Sequence, residues 1–177
     1  MKKHINGFVG NRVLRLNVGF LLNAGPGHIH ETELDVPAIR VADDVDLDYL
    51  KARLRLSRTK EGILVQGRLT AGLESECYRC LRPVQRVITI ELEELFAYPA
   101  VPDCEFSIGE DAILDLVPLV RAEILIEEAH GVLCQPDCKG LCVECGENLN
   151  DGPCQCDTEI IDPRMAKLKA LRDQLGD

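Results

Sequence analysis

The 177 residues contain no tryptophan, four phenylalanines and three tyrosines, an aromatic share of 4% that is too low for a base-stacking platform. No apolar run approaches the roughly 20 residues of a membrane-spanning helix. Lys2 and Lys3 are followed by neither a continuous apolar stretch nor a small-residue cleavage site, so no signal peptide is expected. Neither a P-loop nor a Gly-x-Gly-x-x-Gly turn is present, which removes the usual phosphate cradles. Positive charge is scarce as well: 20 Lys and Arg stand against 30 Asp and Glu, a net charge of −10, which argues against a dominant phosphate-binding role. Only residues 1–60 lean basic, with ten cations against seven anions, whereas residues 61–133 hold five against fourteen and 134–177 five against nine. The expectation is a water-soluble, cytoplasmic protein with no membrane partner and no small-molecule substrate.

Cysteine is what the chain has in excess. Eight of its nine cysteines form close pairs, Cys77/Cys80, Cys134/Cys138, Cys142/Cys145 and Cys154/Cys156, and in a reducing compartment such spacings bind metal rather than each other. Cys104 stands alone and reads as a small hydrophobe. Zinc takes four sulfur or nitrogen ligands in a tetrahedron, so the pairs suffice for two four-cysteine sites, and two zinc ions are the expected cofactors. The compact partition groups Cys142, Cys145, Cys154 and Cys156, leaving Cys77 and Cys80 to join Cys134 and Cys138. Joining the latter closes a loop of 53 intervening residues. That closure costs about 3.5 kcal/mol plus a constant, against the roughly 10–16 kcal/mol that structural zinc supplies. A rival partition places Cys134, Cys138, Cys142 and Cys145 on one ion and leaves the outer pairs as redox thiols. Four thiolates would also accept an iron–sulfur cluster.

Residues 49–58 alternate apolar with basic, which predicts a half-buried strand with Leu50, Ala52, Leu54 and Leu56 inward. Val65, Gly67, Leu69, Ala71 and Leu73 repeat the period after a turn at 59–62, and Ile88, Ile90 and Leu92 mark a third strand over 84–98. The pair Cys77/Cys80 then falls at a turn between antiparallel strands. Residues 28–37 read as extended, and residues 12–23 as either a short strand or a short helix. A helix is expected near 115–130, with Pro118 in its first turn, and another after Asp162-Pro163 with Met165, Leu168 and Leu171 on one face. The segment 133–157 is too rich in Cys, Gly, Asn, Asp and Pro for an apolar core. These features predict an α+β fold: a mostly antiparallel sheet domain over 1–132 with a packed helix, and a cysteine-rich, zinc-bound segment over 133–177 docked through shared ligands.

Lys51, Arg53 and Arg55 share one outward strand face, with Arg58 at its end and Arg68 on the neighbouring strand, and are the candidate RNA contacts. The plainer account is a solvated face balanced by Glu91 and Glu93. Arg79, between the first two ligands, is placed to donate to metal thiolates. His4, His28, His30 and His130 lack metal-protease spacing, and Glu127 and Glu128 have no nucleophile motif beside them, so no catalytic residues are assigned and no enzyme is expected.

The order Cys77-x-Arg79-Cys80, then Cys134-x-x-Asp137-Cys138-Lys139-Gly140-Leu141-Cys142-x-x-Cys145-Gly146, then Asn148-Leu149-Asn150, Cys154-x-Cys156 and Asp162-Pro163-Arg164, resembles the YceD family of large ribosomal RNA accumulation proteins. The resemblance implies a non-enzymatic factor for synthesis, processing or accumulation of large-subunit (23S) ribosomal RNA in ribosome biogenesis. It implies as partners a large-subunit RNA precursor, ribosomal proteins, or both. A zinc-thiol redox sensor or redox-regulated chaperone is the alternative, and a zinc-ribbon adaptor in transcription a third.

Overall fold

Strict apolar and polar alternation builds the central sheet, because each strand must turn one row of side chains to the core and the other to water. In a computed structural model, which describes residues 8–102 and 104–156 together with Met165, Leu168 and Leu171, four antiparallel strands lie in the order β3 (Ile29–Val36), β6 (Tyr49–Arg58), β7 (Gly62–Glu76) and β8 (Pro83–Ala97). Strands β7 and β8 are 15 residues each and pair along their full length. Leu50, Ala52, Leu54 and Leu56 of β6 are buried, as are Leu69, Ala71 and Leu73 of β7 and Ile88, Ile90 and Leu92 of β8. Gly67 on the same row is half-buried.

Short elements close the core. Strand β1 (Val9–Gly10) runs parallel to β4 (Ile39–Ala42), which pairs with β5 (Val45–Leu47), and β2 (Arg15–Asn17) pairs with β9 (Ile113–Asp115). Residues 12–23, open to two assignments in sequence, hold both a strand and a helix, β2 followed by α1 (Gly19–Ala24). Helix α2 (Val117–Ala129), with Pro118 at its start, buries Leu119, Val120 and Ile124. The Asp115 carboxylate accepts from the Val117 N–H at 3.0 Å and satisfies one of the free donors of the first turn. Arg121 on α2 bonds Asp44, between β4 and β5, at 2.5 and 2.9 Å, tying the helix to the small sheet. The start of the C-terminal helix expected at Asp162-Pro163 lies outside the described residues.

Beyond α2, residues 133–156 form no named helix or strand. Apolar packing there is confined to a small separate cluster in which Cys77, Cys80 and Cys138 are surrounded by Val84, Leu133, Cys134 and Leu141. The sheet tip and this segment therefore meet around thiols rather than around a hydrocarbon core.

Candidate metal centres

Two turns of the same design supply the first pair of thiols in each group. In Cys77–Cys80 the Leu81 N–H bonds the Cys77 carbonyl at 2.8 Å, and in Cys142–Cys145 the Gly146 N–H bonds the Cys142 carbonyl at 2.9 Å. The residue closing each turn is left-handed, with φ of 58° at Leu81 and 74° at Gly146. The Cys77 turn caps the β7–β8 hairpin. Val132 is joined to it by a parallel bridge at Cys77 and accepts from the Tyr78 N–H at 3.0 Å, which brings the chain after α2 alongside. Arg79 donates to the Cys138 carbonyl at 2.9 Å, and Arg82 is ion-paired with Asp151.

These contacts gather Cys77, Cys80, Cys134 and Cys138 into one group and Cys142, Cys145, Cys154 and Cys156 into another, with the sulfurs of each group within 4.8 Å of one another. Both groups could hold a metal ion. In the first, Cys77 and Cys138 Sγ are 3.8 Å apart and Cys80 and Cys134 Sγ 3.5 Å. A disulfide would need about 2.05 Å, whereas a tetrahedral ion with bonds of about 2.3 Å sets its sulfurs about 3.8 Å apart. All nine cysteines are free thiols. The first group is enclosed, with Cys77, Cys80 and Cys138 buried, while in the second Cys142 is buried and Cys145 exposed. Cys104 is half-buried and donates to the Phe106 carbonyl at 3.1 Å, apart from both groups.

The thiols of each group are unequal. Burial pushes Cys77 up, but the backbone N–H groups of Cys134, Cys80 and Arg79 outweigh it and bring it down to about 6. The N–H groups of Cys145 and Glu144 bring Cys142 down to about 7. Burial and the neighbouring thiols Cys80, Cys138 and Cys77 push Cys134 to about 12, and Cys145 together with burial does the same to Cys156. Part of each group is thus ready to be thiolate, and the rest resists until a cation relieves the crowding of negative charge.

Asn150 has a role that spacing alone does not reveal. Its Nδ2 donates to Cys138 Sγ at 3.3 Å, which counters the burial that raises Cys138, and the Cys138 thiol is pulled down. Its Oδ1 accepts from the Lys139 N–H at 2.9 Å and from the Gln135 amide at 3.2 Å. One side chain thereby fixes the whole 135–139 turn. The amide set between two Cys pairs was the available signal.

The candidate RNA contacts lie elsewhere: Lys51, Arg53, Arg55 and Arg68 stand on the outer face of the sheet, where Lys51, Arg53 and Arg68 are paired with carboxylates. Glu33, Arg53, Arg68 and Glu91 stand in register across the four strands, with Arg53–Glu33 at 2.9 Å and Arg68–Glu91 at 2.6 Å. Lys51 pairs with Asp35 at 3.2 Å, and Arg55 stands between Glu31 and Gln66 in the register. Arg58 turns to the β6–β7 turn, donating to the Gly62 carbonyl at 3.0 Å beside the Tyr98 ring. The balance therefore comes from β3 as well as from Glu91. His28 bonds the Gly25 carbonyl, His30 packs on Phe20 and His130 sits by Glu127, so these three join neither thiol group; His4 lies outside the described residues.

The model of the family described as "Large ribosomal RNA subunit accumulation protein YceD" matches residues 65–172. An uncharacterized protein of Mycobacterium tuberculosis is 37% identical over 141 residues, 76% of this chain and 65% of that protein. One of Mycobacterium leprae is 36% identical, over 76% of this chain and 62% of its own length. A chloroplastic YCED homolog of Arabidopsis thaliana is 34% identical over 62 residues, 35% of this chain and 19% of that protein. The chain thus spans just under two thirds of the length of these mycobacterial relatives. No solved structure matches. The family match takes in β7 from Val65 onward, all of β8 and both thiol groups, and the chain belongs to the YceD family.

Proposed function

We propose that this protein is a non-enzymatic cytoplasmic factor for the accumulation of large-subunit (23S) ribosomal RNA, with one zinc ion in each thiol group. The family match over residues 65–172 carries the proposal, since that stretch holds all eight paired cysteines. Zinc suits four thiolates at tetrahedral spacing, and a multi-iron core would need them farther apart than a single ion does. The ions would be structural, holding residues 133–156 on the hairpin tip where apolar packing is small. The net charge of −10 and the matched cations of the outer face favour basic ribosomal proteins as direct partners over bare RNA phosphates.

Depleting the protein from its native cell and measuring the ratio of large- to small-subunit ribosomal RNA tests the role. A selective fall in the large-subunit RNA is expected, and an unchanged ratio would overturn it. The exposed Cys145 favours a second reading, a redox sensor. Mild peroxide would then release metal reversibly and switch on an activity, and metal that stays bound under that treatment counts against it.

A further inference from the structure

A groove of about 600 Å³ opens between the hairpin tip and the end of α2, and its lining residues include Leu81, Pro83 and Val132 and the acidic Glu74, Glu76 and Glu128. None of these carboxylates has an ion-pair partner among the described residues. The C-terminal end of α2 brings the negative end of its dipole to the same place; Arg86 of β8 donates to the Glu127 carbonyl at 2.9 Å and pairs with the Glu127 carboxylate, whereas Glu128 is in none of the ion pairs of the described residues. The groove therefore gathers negative charge that a cationic occupant would relieve.

Leu81 supplies an apolar contact at an unusual position. In the sister turn the equivalent left-handed residue is Gly146, which adopts φ of 74° without strain. Leu81 holds φ of 58° against its side-chain preference and is 57% exposed, so it adds little to the core. A side chain kept where glycine fits better, and turned to solvent beside Val132 and Pro83, offers an aliphatic anchor.

We propose that this groove docks a lysine- and arginine-rich polypeptide segment carrying an aliphatic side chain, the cations meeting Glu74, Glu76 and Glu128 and the aliphatic group meeting Leu81 and Val132. Charge complementarity selects a basic partner over RNA, whose phosphates the three carboxylates repel. The proposal does not depend on the ribosomal role and survives its failure.

The test uses the metal-loaded full chain and a short fluorescent peptide of alternating lysine and leucine, at roughly physiological salt. Peptide with serine in place of leucine and single-stranded oligouridylate serve as comparisons. The leucine peptide is expected to shift the amide resonances of Glu74, Glu76, Leu81, Glu128 and Val132, and to bind about tenfold more tightly than the serine peptide. Leu81→Gly should remove that advantage while leaving metal content unchanged. Glu74→Gln with Glu76→Gln and Glu128→Gln should weaken both peptides and covers the case of a Leu81 variant that fails to fold. Equal binding to wild type and to the charge variant, shifts mapping elsewhere, binding of the oligonucleotide alone, or no peptide binding because the groove is filled by the chain itself would each overturn the proposal.

Discussion

Asn150 shows how much one amide can hold when no apolar core is available. It donates to Cys138 Sγ, and its carbonyl accepts from Lys139 and Gln135, so truncation removes one donor from a buried sulfur and the shared acceptor of the 135–139 turn. Asn150→Ala should cost about 1–3 kcal/mol, the usual penalty for orphaned polar groups. The check is loss of metal at lower chelator concentration than wild type, with the near-neutral surface substitution Gln85→Ala as a reference. The division of the thiols into two groups of four was legible from spacing, because cysteine pairs at tight turns are what a four-sulfur site is built from. The partner of the thiol was not, since Asn148 and Asn150 look alike in sequence. Only the fold directs the Asn150 amide to sulfur.

At the scale of elements, period-two alternation was enough to find β6, β7 and β8 and their buried rows, because every inward residue from Leu50 to Leu56 meets one core. Strands β4 and β5 were harder, being four and three residues long and joined across Asp43 and Asp44. The acidic row Glu31, Glu33 and Asp35 likewise gains meaning only once β3 is seen to pair with β6, which is a long-range fact. The Asp44–Arg121 pair makes a sign-definite prediction. The hydrogen bond from Arg121 lowers the Asp44 carboxyl below its ordinary 3.8, so its stabilising effect is complete above that value and disappears as pH falls through the lowered one. Asp44→Asn should therefore melt below wild type at neutral pH and match it once the acid is strong enough to protonate Asp44 in the folded protein, with a small difference because both side chains are solvent-exposed. Thermal melts of both proteins across pH check this. Thiol dependence belongs to a different element. A chelator should make residues 133–156 sensitive to protease while the β6–β7–β8 sheet, which has its own core, stays resistant. Fragments mapped by mass spectrometry would decide it, and simultaneous cleavage of the sheet would contradict it.

The molecule as a whole joins hydrocarbon burial under a four-stranded sheet to two groups of four thiols that could each hold a metal ion, the first of them at the tip of its longest hairpin. The thiol groups stand where the segment after α2 is too polar to pack by itself. This placement puts both thiol groups, the acidic groove and the end of α2 at one pole, and leaves an outer sheet face on which Lys51, Arg53 and Arg68 are paired with carboxylates. The central claim is that each thiol group is a metal site, and native mass spectrometry of the purified full-length protein tests it most directly. The account predicts two zinc ions per chain, falling to one in Cys77→Ser with Cys80→Ser and to one in Cys142→Ser with Cys145→Ser. A wild-type protein purified under reducing conditions with no metal, or with a single ion that survives both double substitutions, would contradict it.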